Sequence, residues 1–305
     1  MGNACRTGLT LSATGITKQG EGMTDESSTL LDLGRSILAP YAALPGAACA
    51  AITGSSAEGH ADRFSDLDMT VYYDVLPSEA DLQRARGQVS DGTLIWSMGS
   101  YDEGEFAEAF RVGGVEVQIG HTTVARWEET ITAVLAGREP GSPLHKAMSG
   151  TLVSVPAFGA ERLAVWQTRI RDYPDVLRVA MVKHHLKFFR LWALVGRLET
   201  RDARLWFRQM LVESSFNLLG VAAGLSRRYF TSFQFKRARS FIATLDRAPD
   251  NLADRLDALW ASSPAEAARS LHSLVSETVA LVEGDLPEVD TSAVRKALAS
   301  REEPW

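Results

Sequence analysis

Cysteine is almost missing from this chain, with Cys5 and Cys49 the two thiols among 305 residues. Two thiols build neither a disulfide framework nor a thiolate zinc site, and they suit a reducing, cytoplasmic setting. No run of about 18 uncharged apolar residues occurs, so no membrane span is expected. The opening residues lack the basic-then-apolar order of a secretory signal, and Arg6 stands where a myristoylation signal needs Ser or Thr. Excess positive charge is absent too: 32 Lys and Arg against 38 Asp and Glu leave a formal charge of −6. Such a surface does not wrap nucleic acid wholesale, so nucleic acid is not expected as a partner. No repeat of fixed period is present. What remains is ordinary globular composition, 45% hydrophobic and 23% charged, at a length that predicts two domains.

Residues 1–28, rich in Gly, Thr and Ser without an apolar period, are expected to be a flexible tail, with Met23 an alternative start. Residues 29–150 read as a mixed α/β domain. A helix over Leu30–Leu44 precedes short strands at Ala48–Thr53 and Leu67–Tyr73 and a helix over Pro77–Arg86. Further strands are predicted at Thr93–Met98, Glu105–Val112 and Val115–Ile119, the last two joined at Gly113-Gly114 as a hairpin. Helices over Thr122–Ala136 and Pro143–Met148 follow. From a boundary at Gly150–Pro156, residues 151–305 read as an all-α bundle, with apolar faces over Leu177–Leu198, Ala203–Gly224, Phe233–Leu245, Leu252–Trp260 and Ala265–Val282.

Chemistry concentrates in Gly54-Ser55, ten further residues, and Asp66-Leu67-Asp68, with a predicted strand on either side. Residues two apart on a strand share a face, so Asp66 and Asp68 place two carboxylates in one small volume. A hard cation relieves their repulsion, and Mg²⁺ suits one or two carboxylates completed by phosphate oxygens and water. Gly54 lets the backbone approach a ligand closely, and Ser55 offers a hydroxyl and an amide to phosphate. Glu116, centred in Val115-Glu116-Val117, is a third acid on a strand able to lie beside the first two.

This pattern resembles the DNA polymerase beta-like nucleotidyltransferase superfamily, whose signature is Gly-Ser, a gap of similar length, Asp-x-Asp on a strand and a later acid between apolar residues. It looks most like bacterial antibiotic adenylyltransferases of the streptomycin/spectinomycin type, which also append a helical domain. The likeness covers Ala50–Asp74 and the Glu116 strand, with Tyr229 and Lys236 as matches in the helical half. It implies Mg²⁺-dependent transfer of a nucleoside monophosphate, chiefly AMP from ATP, to a hydroxyl of a small molecule, with release of pyrophosphate. Asp66 and Asp68 would be metal ligands, and Glu116 either a base, as in the adenylyltransferases, or a metal ligand, as in the polymerases. Gly54, Ser55, Arg63 and Ser65 would line the nucleotide. The chain is expected to act as a monomer or homodimer.

The segment Arg227–Arg239 holds five basic residues and no acid, interleaved with Tyr229, Phe230, Phe233 and Phe235. It reads equally as a solvated helix face with core aromatics or as a clamp for a triphosphate and a base, with Lys236 the first choice for the phosphates and Arg228 the second. Asp102, Glu103 and Glu108 read first as a solvated loop or strand face; the alternative is that they add negative potential on the acceptor side and attract a cation such as an aminoglycoside. An alternative reading is a toxin–antitoxin component acting on RNA or a protein, because Arg178 and His184 fit the loose Arg-x4-6-His spacing of HEPN ribonucleases. His60 and His121 read as polar loop residues.

Overall fold

A computed structural model describes residues 23–101 and 103–301. Asp102 and the expected tail up to residue 22 lie outside the described residues. The first helix, α1 (Asp25–Ala42), begins earlier than the expected limit of the tail at Ser28, because Thr24 caps it by accepting from the Ser27 amide at 3.1 Å. Strand β1 (Ala47–Ile52), a single helical turn α2 (Gly54–Ala57), β2 (Leu67–Tyr73) and α3 (Glu79–Gly87) follow. Strands β3 (Leu94–Ser100), β4 (Glu105–Val112) and β5 (Val115–Thr123) then form a meander. Gly113 and Gly114 turn the β4–β5 hairpin with φ of +56° and +87°, the left-handed pair a tight hairpin of this hand requires.

Helices α4 (Val124–Leu135) and α5 (Leu144–Val153) lead to β6 (Val155–Phe158), which pairs antiparallel with β1. The resulting six-stranded mixed sheet has the order β3-β4-β5-β2-β1-β6, with β2 and β5 parallel. The sheet therefore extends to Phe158. After it come α6 (Ala160–Arg171), α7 (Asp175–His185), a 3₁₀ turn at Leu191–Ala193, α8 (Val195–Thr200), α9 (Arg204–Leu225), α10 (Ala238–Ile242), α11 (Leu252–Ala261), α12 (Pro264–Asp285) and α13 (Ser292–Ala299). The chain is thus a mixed α/β unit followed by a helical one. Among the described residues, no helix is long and apolar enough to cross a membrane.

The two faces of β2 have different neighbours. Leu67, Met69, Val71 and Tyr73 face α1 and α3 in a core with Leu30, Ile37, Leu38 and Leu82. Tyr72, on the other face, packs its ring 4.7 Å from Trp166 of α6 and 5.9 Å from Trp127 of α4, inside the core of the helical half. Cys49 and Ala51 of β1 join that same core, so one apolar interior runs from the sheet into the helices. Along this second face Tyr72 is buried, and Thr70, Asp68 and Asp66 are partly buried.

Two expected helices are broken. The span Leu177–Leu198 unwinds after His185, where Asn217 of α9 donates to the Lys187 carbonyl at 2.8 Å and Gly220 lets α9 press against the His185 ring. The span Phe233–Leu245 keeps only α10, and Gln234 and Arg237 adopt left-handed φ of +48° and +57°. Such backbone is costly for residues with a Cβ, and the contacts of this segment with the sheet half hold it.

Candidate active site

The end of β1 lies directly on the aspartates. Thr53 donates its amide to the Asp68 carbonyl at 2.8 Å, and Gly54 turns away at φ +65°. A Cβ at Gly54 would stand 2.3 Å from Asp68 Oδ2, so the glycine-serine bend and the carboxylate occupy adjoining space. The loop before β2 is tightened by Asp62, whose Oδ1 accepts from the Phe64 amide at 2.8 Å and whose own amide donates to Ser65 Oγ at 2.9 Å. This turn delivers Asp66 onto the same face as Asp68.

Parallel pairing sets Leu67 opposite Val117 and Asp68 opposite Gln118, which puts Glu116 and Gln118 on the aspartate face. Gln118 Nε2 donates to Asp66 Oδ2 at 3.0 Å and to Glu116 Oε1 at 3.3 Å. Sequence reasoning missed Gln118. Among the described residues, no group of three or more His, Cys, Asp or Glu side chains is gathered closely enough to hold a metal ion, so the expected acidic triad is not closed.

Asp68 is the electrostatic centre. Burial, then the neighbouring Asp66, push its pKa up to about 6, with Lys146 and Lys236 pulling the other way and Glu58 adding to the rise. Its carboxylate accepts no hydrogen bond among the described residues, so the charged form has lost water without gaining a donor. A group protonated more readily in the fold than in the unfolded chain costs stability as pH rises from 3.8 to about 6, and the cost stays constant above that. Asp68→Asn removes the charge. In EDTA it is expected to be more stable than wild type by about 2 kcal/mol at pH 7.5 and equal to it near pH ~4. Urea unfolding across that range checks this, and a gap that does not depend on pH would count against it.

The opposite wall is basic and comes from α5 of the sheet half and from the 233–237 segment of the helical half. Lys146 on α5 donates to Gln234 Oε1 at 2.8 Å and lies 5.6 Å from the centre of the exposed Phe233 ring. Lys236 follows in the same segment, and Arg237 crosses to the sheet half, donating to the His60 carbonyl at 2.7 Å and pairing with Glu58 at 3.3 Å. Lys146 was not foreseen, since one lysine on a predicted helix carries no signal of its own.

Other expected residues stand elsewhere or are otherwise engaged. Tyr229 is buried, its hydroxyl donating to the Ile170 carbonyl at 2.7 Å and its ring packed on Tyr173, so it offers no platform to a base. Arg228 donates to the Thr244 carbonyl at 3.2 Å, while Arg227 and Arg239 pair with Asp175 and with Asp254 and Asp257. Of the five basic residues, Lys236 acts on Asp68, while Arg237 is engaged by Glu58 and the His60 carbonyl. Ser65 shapes its own loop, and Arg63 stacks over Phe64 at 4.5 Å on the exposed rim.

Glu108 lies on the opposite face of the sheet, 2% exposed and paired with Arg86, so it lends no potential to the acceptor side. His121 is likewise buried on that face and hydrogen-bonded to Tyr73 at 3.0 Å, not a loop residue. Arg178 pairs with Asp285 at 3.3 Å inside the bundle, and Gly141 packs against the His184 ring. That arrangement occupies the arginine on which the ribonuclease spacing depends.

No family model and no curated protein sequence matches the chain. Among solved structures it is similar to a nucleotidyltransferase-like protein from Exiguobacterium sibiricum 255-15, at 13% identity and a TM-score of 0.39, over 90% of this chain and 81% of that one.

Proposed function

We propose that this chain is a Mg²⁺-dependent nucleotidyltransferase acting on a small molecule. The observation that carries the reading is the contact of the Gly54-Ser55 bend with Asp68 and, on the same strand face, Asp66. A desolvated Asp68 carboxylate without a hydrogen-bond donor, beside Asp66, fits a hard divalent cation that keeps waters and phosphate oxygens as its other ligands. Asp66 and Asp68 would hold that ion, which when bound supplies positive charge to the phosphate oxygens of the nucleotide.

The chain's own residues supply the rest. Ser55, next to Gly54 in the bend, would meet the terminal phosphates, and Lys146 and Lys236, which act on Asp68, would add positive charge there. In the reaction, the acceptor oxygen forms a bond to the α-phosphorus of ATP, the bond from that phosphorus to the pyrophosphate oxygen breaks, and the acceptor proton passes to Glu116. With Glu108 buried on the far face, one of the three acids that could attract a cationic acceptor is withdrawn, and the acceptor we propose is a hydroxyl-bearing small molecule.

Incubation with Mg²⁺, each nucleoside triphosphate and a panel of aminoglycosides, lincosamides and nucleosides tests the proposal by product mass. An acceptor gaining one nucleotidyl unit with release of pyrophosphate is expected. Failure to consume any triphosphate across the panel, by protein that binds Mg²⁺, would count against it.

Gly54 gives a second test. Alanine there needs a left-handed φ, at about 1 kcal/mol or more, and pushes its Cβ into the Asp68 carboxylate. Gly54→Ala is expected to lose at least about 100-fold in turnover, because a displaced ligand costs far more than the fold does. Kinetics beside a thermal melt separate the two, and near-normal turnover would show that the bend does not set Asp68.

A further inference from the structure

We infer that Gln118 is a positioning residue that holds Glu116 apart from the metal-binding aspartates, making this a two-carboxylate metal site with a separate third acid. The inference rests on the reading of Asp66 and Asp68 as ligands to a divalent cation. Its ground is the pair of hydrogen bonds that the Gln118 amide nitrogen makes, to Asp66 Oδ2 at 3.0 Å and to Glu116 Oε1 at 3.3 Å. An amide NH₂ has two hydrogens and no more, so these bonds use its whole donor capacity.

The spacing follows from the geometry of that nitrogen. Its two N–H bonds diverge by about 120°, so acceptors on each stand roughly 5 Å apart. Ligands at about 2.1 Å from one Mg²⁺ stand only about 3–4 Å from each other. The Asp66 and Glu116 oxygens held by Gln118 therefore cannot bind one ion together while the amide is between them. The lack of any closed three-acid group among the described residues agrees. Gln118 sits opposite Asp68 in the parallel register, and from there its amide reaches both acids.

Two consequences follow. Each acid has one oxygen occupied by the amide, and the separation would leave the second oxygen of Asp66 to the metal and the second oxygen of Glu116 to an acceptor hydroxyl. Removing the amide removes the separation. In Gln118→Leu, Glu116 is free to swing toward the cation as a third ligand, and a third carboxylate tightens binding of a hard ion.

The experiment uses Mn²⁺ as the probe, titrated into the full chain without nucleotide and read by the electron paramagnetic resonance of the free ion. Wild type, Gln118→Leu, Glu116→Gln, the double variant and Asp66→Asn are compared. Gln118→Leu is expected to bind Mn²⁺ about tenfold more tightly, and the double variant to lose that gain. Glu116→Gln in the wild-type background is expected to change affinity less than about threefold, against a loss of more than about tenfold in Asp66→Asn. A merely structural role for Gln118 would weaken binding or leave it alone.

Unchanged or weaker binding in folded Gln118→Leu would overturn the inference, as would Glu116→Gln weakening Mn²⁺ as much as Asp66→Asn does. Wild type that binds no Mn²⁺, or Asp66→Asn that binds it normally, would overturn the two-aspartate reading and this inference with it. Either result is distinguishable from a failure of Gln118 alone, in which wild type binds and Asp66→Asn does not.

Discussion

Asp66→Asn and Asp68→Asn are each expected to lower nucleotidyl transfer by about 10³-fold or more, roughly 4 kcal/mol of transition-state stabilisation, while leaving the protein folded. Asparagine keeps the shape of the side chain and one oxygen, but it removes the negative charge that holds a divalent ion beneath the phosphates. The fold does not need that charge. Asp68 carries it against burial and against Asp66, with its pKa pushed up to about 6, so neutralising the residue relieves the folded state. Loss of activity with gain of apo stability is an unusual pairing, and it separates a functional carboxylate from a structural one.

A thermal melt provides the second readout. Ligand binding stabilises by about 2.7 kcal/mol when the free ligand is at 100 times its Kd. Saturating Mg²⁺ is therefore expected to raise the melting temperature of wild type above pH 6, where Asp68 is ionised, and to leave both asparagine variants unmoved. Below that pH the effect should shrink, because protons compete for the same carboxylate. Wild-type turnover in either variant, or an equal Mg²⁺ response in all three proteins, would remove the basis for placing the metal on β2.

Much of this site was legible before any coordinates. Strand β2, Leu67–Tyr73, begins and ends where its run rich in Val, Tyr and Met predicts, and β4, Glu105–Val112, has the bounds expected of it. Period-two spacing alone put Asp66 beside Asp68, and the Gly-Ser signature placed the bend that packs on them. The same spacing held a signal that went unread: Gln118 lies two residues beyond Glu116, on the same strand face, where an amide between acids is conspicuous. Lys146 had no such signal, because its place depends on how α5 meets the 233–237 segment.

The misread elements share a cause. Strand β6 is four residues around Pro156, defined by its pairing with β1 and by nothing periodic of its own. The unwound stretch after His185 and the left-handed residues Gln234 and Arg237 sit in sequences with good helical spacing, yet side chains from distant elements claim their backbone or their charges. Tertiary contacts of this kind outweigh local propensity, which is worth at most about 1 kcal/mol per ordinary residue. Glu108 was misplaced because hydropathy does not say which of two buried faces an acid turns to when its partner, Arg86, comes from a helix more than 20 residues away.

That pair supports the second large prediction. Glu108 is 2% exposed, paired with Arg86, and accepts from the Tyr41 hydroxyl at 3.2 Å, with His121 Nε2 at 3.4 Å. Burial pushes its carboxyl up, but His121, Arg86 and Tyr41 together outweigh this and hold it below the usual carboxylate range. A depressed pKa contributes stability that is present above the unfolded value of 4.5 and is lost as pH falls through the folded one. Glu108→Gln leaves the Arg86 guanidinium buried without a counter-charge, and is expected to cost about 3–5 kcal/mol at pH 7 in urea unfolding. The double replacement Arg86→Met with Glu108→Leu removes both charges, and should recover most of that loss, because the desolvation penalty goes with them. A loss below about 1 kcal/mol in the single variant would mean that the pair is solvated in solution. Whatever fraction of Glu108→Gln stays folded should retain wild-type turnover per molecule, since the sheet itself stands between this network and the aspartates.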